Sequence, residues 1–208
     1  MSFEHWLAFV AASVILLAIP GPTVLLVVSY ALGHGRRYAA ATVAGVALGD
    51  LTAMTASLLG LGALLAASAG LFTAVKWVGA AYLVYLGLKL WRTPVGDPGQ
   101  ADISETRPGR IFAHAYVVTA LNPKGIVFFV AFLPQFLDMT RPVLPQMAIL
   151  VATFVSLATV NAALFGLMAS SARRTIRKPS AQRLVNRIGG SFLIGAGVLT
   201  AAWRRAAA

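Results

Sequence analysis

Two charged residues sit where charge is expensive. Asp50, in Gly45-Val46-Ala47-Leu48-Gly49-Asp50, is the only acidic residue well inside an apolar run, and Lys124, in Leu121-Asn122-Pro123-Lys124-Gly125, is the base. An ionisable side chain at the centre of a bilayer costs about 2.5 kcal/mol or more, so it faces an interior path or pairs with a partner. A carboxylate there can take up and release a proton and so couple ion flow to transport, or it can contact a substrate. The plainer readings are a static partner for Lys124 and a protonated interhelical hydrogen bond. Lys124 has three readings: it neutralises Asp50, it meets a substrate carboxylate, or it snorkels to an interface.

Backbone breaks flank these charges. Leu17-Ala18-Ile19-Pro20-Gly21-Pro22-Thr23 lies in the middle of an apolar run from Leu7 to Ala31. Pro20 has no N–H for the carbonyl of Leu16, and Pro22 has none for that of Ala18. Broken backbone at membrane depth persists only where protein or a wet cavity covers the freed groups. The turn Pro20-Gly21-Pro22-Thr23 therefore offers free carbonyls on one side and the free N–H groups of a new half-helix on the other. Carbonyls attract an ammonium and helix-start N–H groups a carboxylate, which fits an amino-acid zwitterion. The same device recurs at Asn122-Pro123-Lys124, inside the apolar run Ile111–Phe136. Breaks at matching places in two halves point to a transporter binding site; the alternative is a pair of proline kinks that bind nothing. Asn122 and Asn161 either contact substrate or hydrogen-bond between helices.

Six apolar runs must position these residues: about Leu7–Leu32, Ala39–Ala66, Ala74–Trp91, Ile111–Phe136, Pro145–Ser170 and Ile188–Trp203. Arg183 and Arg187 could snorkel and lengthen the last one. Pro134, in Phe132-Leu133-Pro134-Gln135-Phe136, is expected to end the fourth. The polar stretch Thr93–Gly109, with Pro94, Pro98 and Pro108, divides the chain. It gives a first three-helix unit over 1–92, a cytoplasmic linker over 93–110 and a second unit over 111–208. The segment from Val78 to Gly87 aligns with that from Ile188 to Gly197, matching Gly79 with Gly189, Tyr82 with Phe192 and Gly87 with Gly197. Phe9 and Pro20 align likewise with Phe112 and Pro123. Three helices per unit would make this an inverted repeat; chance similarity between glycine-rich apolar helices is the competing explanation. The pair Gly45 and Gly49 is suited to close helix packing, and such glycine faces serve a homodimer as well as an internal core.

Composition agrees with a polytopic all-α membrane protein. Of 208 residues 59% are hydrophobic and only 11% charged. Cysteine is absent, which excludes disulfides and thiolate metal sites. The net charge of +11 does not indicate nucleic acid, because twelve of the 17 Lys and Arg residues fall in alternate loops. These hold Arg36 and Arg37; Lys89, Arg92, Arg107 and Arg110; and Arg173 through Arg187. The positive-inside rule puts those loops in the cytoplasm and both termini outside, with the Arg204-Arg205 tail as a mild counter-signal. Glu4 and His5 replace the basic start of a secretory signal. His5, His34 and His114 show no metal-ligand spacing, and no cofactor is expected.

In this order, Pro20-Gly21-Pro22, Gly49-Asp50, Lys76 with Gly79-Ala80-Ala81-Tyr82-Leu83 and Gly87, Asn122-Pro123-Lys124 and Phe132-Leu133-Pro134-Gln135-Phe136 resemble the lysine exporter and homoserine–threonine efflux (LysE/RhtB) family over nearly the whole chain. The resemblance implies a bacterial inner-membrane exporter of amino acids or related metabolites, driven by the proton-motive force. Members of the family often carry an acidic residue in helix five, where this chain has Asn161. With one carboxylate in the membrane region, neutral amino acids of the threonine, homoserine or leucine type fit better than cationic lysine. The alternatives are a passive channel and an exporter of another small metabolite. An intramembrane enzyme is disfavoured, since an aspartyl pair needs two carboxylates, a serine–histidine pair a deep histidine and a metal site clustered ligands.

Overall fold

The computed structural model of the chain describes residues 1–34, 38–92, 107–138, 140–169 and 178–202, without the side chains of 63–67, 69, 71, 72 and 76. Among the described residues every regular element is a helix. They are α1 (Phe3–Ala18), α2 (Pro22–His34), α3 (Ala39–Ala67), α4 (Ala69–Arg92), α5 (Pro108–Ala120), α6 (Pro123–Val127), a π-helical turn (Phe128–Phe132), a 3-10 turn (Leu133–Phe136), α7 (Val143–Leu167) and α8 (Pro179–Ala202).

Among the described residues four stretches are long and apolar enough to cross a membrane: Ala39–Gly62, Pro108–Phe136, Val143–Leu167 and Pro179–Ala202. The pair α1 and α2, bent by 56° at the Pro20 turn, makes a fifth if it is one span. The run predicted over Ala74–Trp91 lies within α4. Two boundaries differ from expectation. Pro108 and Gly109, assigned to the linker, form the first turn of α5, because a proline at the first helical position lacks only an N–H that would be unpaired anyway. Helix α8 begins at Pro179, well before Ile188, and takes Arg183 and Arg187 into its first turns. The remaining linker, 93–106, lies outside the described residues, as do Arg36, Arg37, Arg173, Arg174, Arg177 and the Arg204-Arg205 tail.

Pro134 lies in the last turn, which ends at Phe136 as expected. It cannot donate to the carbonyl of Val130, and the helix widens before reaching it: the N–H of Leu133 bonds the carbonyl of Phe128, five residues back. The widened turn buries Phe128, Phe129 and Phe132 against Phe9 of α1 and Phe154 of α7. Ring centroids lie 4.8 Å apart for Phe129–Phe154 and 5.3 Å for Phe9–Phe136. The following loop is tied down by buried Gln146, whose amide donates to the carbonyls of Asp138 (2.8 Å) and Pro142 (3.0 Å) and accepts from the Asp138 N–H (2.9 Å).

Glycines set the closest helix contacts. Helix α3 lies on α5 so tightly that a Cβ on Gly49 would stand 2.8 Å from the Thr119 Cβ, and one on Gly45 would stand 2.9 Å from that of Ala115. Helices α4 and α8 pack in the same way through a reciprocal pair of contacts. A Cβ on Gly87 would stand 2.6 Å from the Gly190 carbonyl with Ile194 beside it, and one on Gly197 would stand 2.7 Å from the Ala80 carbonyl with Val84 beside it. Gly87→Val should therefore force α4 from α8 and cost about 2 kcal/mol or more. The purified protein is expected to melt several degrees lower in detergent, whereas Gly195→Ala, where a Cβ would meet open space, should leave the melting point unchanged.

Candidate functional site

The two breaks meet. At the first, α1 ends at Ala18, Ile19 is extended, and its N–H turns back to the Leu16 carbonyl at 3.3 Å. That bond only partly replaces the one Pro20 cannot make. The carbonyl is completed from the other half of the chain: the Lys124 ammonium donates to the carbonyls of Leu16 and Ile19, each at 3.0 Å. A third carbonyl of the same turn, Leu17, accepts from the Asn161 amide of α7 at 3.3 Å. The C-terminal end of a helix carries partial negative charge, which favours a cation at this position.

At the second break, Asn122 caps α6. Its side-chain oxygen accepts the Lys124 N–H at 3.1 Å, and Pro123 takes the first helical position. Its amide reaches across to the first break and donates to the Thr23 hydroxyl at 3.3 Å, which lies 3.3 Å from the hydroxyl of Thr119 on α5. Each break is thus stabilised by side chains of the other.

A cavity of about 40 Å³ lies between them, lined by Gly21, Thr23, Asp50, Asn122, Lys124 and Asn161 among apolar residues. That is room for about three waters and too little for an amino acid. Asp50, on α3, is buried and faces this cavity; among the described residues it makes no hydrogen bond and no ion pair. Leu16, Phe154 and Ala158 close the cavity as part of the phenylalanine cluster. Val27, Val46 and Ala162 close it on the opposite side as part of a second core with Tyr30, Ile111 and Ala115. Apolar packing thus flanks the polar lining at both ends.

Of the residues singled out from sequence, Gly21, Thr23, Asp50, Asn122, Lys124 and Asn161 come together at the cavity. Pro20 and Pro22 shape the backbone beside it, and Pro123 faces an apolar groove on the other side of α6 with Gly79 and Tyr82. Lys124 hydrogen-bonds to backbone carbonyls and lines the same cavity as Asp50 without a salt bridge to it. Sequence reasoning missed Thr119, one α-helical turn before Asn122, and the bond between Tyr30 and His114, 2.9 Å across α2 and α5 beside the cavity. Among the described residues no group of acidic or histidine side chains is arranged to hold a metal.

These features define a multi-pass helical membrane protein with discontinuous helices around a small polar cavity. The chain belongs to the family of LysE type translocators, whose signature matches residues 14–202. It is 34% identical over 203 residues to an uncharacterized membrane protein of Vibrio cholerae, covering 97% of this chain and 98% of that one. It is 33% identical over 207 residues to a homoserine/homoserine lactone efflux protein of Salmonella typhi, covering 99% and 100%. A leucine efflux protein of Salmonella choleraesuis is 35% identical over 140 residues, covering 67% and 66%. No solved structure matches the chain.

Asn122→Ala removes both the cap of α6 and the bond to Thr23. A loss of about 1–2 kcal/mol is expected, read as a lower melting temperature of the purified protein. Asn122→Ser, which keeps a capping oxygen, should lose less.

Proposed function

We propose that this protein is a secondary carrier that exports neutral amino acids, of the threonine, homoserine or leucine type, from the cytoplasm of a bacterium across its inner membrane. The full-length match to a homoserine/homoserine lactone efflux protein carries the substrate class. The small cavity, flanked by apolar packing at both ends, supports a carrier over a passive channel, because a channel needs an open path and a carrier needs a site that opens to one side at a time. The polar lining suits a zwitterion: Asp50 for its ammonium, and the Thr23 end of α2 together with the Lys124 side of α6 for its carboxylate.

Asp50 is our candidate for proton coupling. It is the buried carboxylate of the cavity, without an ion pair among the described residues, and can alternate between a proton and a substrate ammonium. The carrier reading also includes six spans arranged as units 1–92 and 111–208, joined by a cytoplasmic segment, with both termini outside. The reciprocal glycine contacts support the inverted repeat. Gly87 pairs with Gly190 and Ile194; Gly197 pairs with Ala80 and Val84. In the sequence alignment Gly87 corresponds to Gly197, Gly190 to Ala80 and Ile194 to Val84, so exchanging the halves maps one contact set onto the other. A pseudo-two-fold axis between antiparallel α4 and α8 accounts for this.

Export from dipeptide-loaded cells tests the reading. Cells with the wild-type protein should release one or a few neutral amino acids faster than cells with an empty vector, against a gradient, and a protonophore should stop the accumulation. Asp50→Asn, present in the membrane at equal amount, should lower export at least about tenfold, the loss expected when a group essential to the cycle cannot ionise. Export by Asp50→Asn at the wild-type rate removes Asp50 from the mechanism.

A further inference from the structure

We infer that Lys124 is a specificity-determining residue: its ammonium fills a carbonyl seat at the end of α1 and thereby bars substrates that carry a second ammonium. The inference rests on the amino-acid export reading and names which amino acids the site refuses.

The seat is made of backbone. The carbonyls of Leu16 and Ile19 converge on one ammonium at 3.0 Å each, at the negative end of a helix. Nothing in that arrangement requires a lysine. A primary ammonium is a compact charge with three donors, and any such group of suitable reach satisfies the same oxygens. The seat also belongs to the cavity wall. Leu16, Gly21 and Lys124 all line the cavity, and the Lys124 side chain passes over Gly21, where a Cβ would stand 3.5 Å from the Nζ atom. With the Lys124 ammonium absent, an ammonium entering the cavity could reach the same oxygens.

Among the described residues the wild-type cavity therefore presents one carboxylate to a substrate, that of Asp50. The Leu17 carbonyl is taken by Asn161, and the carbonyls of Leu16 and Ile19 are taken by Lys124. The charges of Asp50 and Lys124 cancel, which matches a zwitterion with a neutral side chain. A dibasic amino acid brings two ammonium groups. One meets Asp50; the other finds the carbonyl seat occupied and no second carboxylate among the described residues, and it faces the Lys124 cation in a mostly apolar surround, where an unpaired charge is strongly disfavoured. Removing the Lys124 ammonium reverses both conditions: it vacates two carbonyls and leaves the cavity with one net negative charge.

The test compares wild type, Lys124→Met and Lys124→Arg in cells loaded with dipeptides that release both lysine and neutral amino acids. The lysine-to-neutral export ratio should rise at least about tenfold in Lys124→Met, as expected for gaining a charge-assisted hydrogen-bonded pair, and should rise much less in Lys124→Arg, which keeps the cation. An unchanged ratio in an exporting Lys124→Met overturns the inference. So does wild type exporting lysine as fast as neutral amino acids, a result that requires no variant. A second measurement is independent of export. Purified Lys124→Ala is melted in detergent with ethylammonium or tetramethylammonium chloride at equal concentration. Ethylammonium, which has N–H donors, should raise the melting temperature of the variant by several degrees, or be required to recover it folded, with no such effect on wild type; tetramethylammonium should do neither. Equal effects of the two salts overturn the seat. If ethylammonium alone stabilises the variant while no amino acid is exported by any form, the seat stands and the export reading fails.

Discussion

The structure depends on carbonyls that a proline turn leaves without donors inside an apolar helix run. Pro20 removes the donor for Leu16, and the chain cannot present that oxygen to lipid. The donor comes from Lys124, on a helix more than a hundred residues away in sequence. This fixes α6 against the end of α1 and, with the Asn122–Thr23 bond, locks the two interruptions together. The same contacts keep Lys124 on the backbone, and the Asp50 carboxylate makes no ion pair among the described residues. A local gap in the helix ladder thus gives rise to a polar site.

Apolar packing flanks that site on either side. The widened turn before Pro134 rotates Phe128, Phe129 and Phe132 inward to meet Phe9 and Phe154, a cluster that shares its innermost members with the cavity wall. Glycines do the complementary work on the far side. With no Cβ at Gly45 and Gly49, α3 lies directly on the α5 backbone and carries Asp50 to within the reach of both breaks. Close packing by small residues is how helices associate where burial from water supplies no driving force between them. A cavity of this volume must enlarge to admit an amino acid, which requires this packing to give way on one side.

Both interruptions could be read from the chain because proline chemistry is local: the missing N–H names the orphaned carbonyl four residues back. Asp50 stood out because a lone carboxylate in an apolar run has few structural excuses. The glycine pairs pointed to close packing for the same local reason, and their partners came only with the fold. Lys124 was noticed but its partner was not. Its possible contacts were sought among charges and interfaces, whereas backbone carbonyls of the opposite half carry no side-chain signature. Thr119 and Gln146 were missed because a threonine or glutamine near a helix end is unremarkable until the chain folds around it. Pro134 lies in the last turn, which ends at Phe136 as its missing N–H leads one to expect; the π-helical turn before it has no local signature in the sequence.

The meeting of the two breaks is the central claim, and the absence of native cysteine allows it to be tested directly in the membrane. Thr23→Cys and Asn122→Cys, introduced together, replace side chains whose polar atoms lie 3.3 Å apart. A short bifunctional thiol reagent should join the pair within one chain, detected by mass spectrometry of peptides from both halves, while each single variant gives no such product. Failure of the double variant to cross-link, in protein that is present in the membrane and whose thiols are both reactive to an alkylating probe, would contradict the joined breaks and the site built on them.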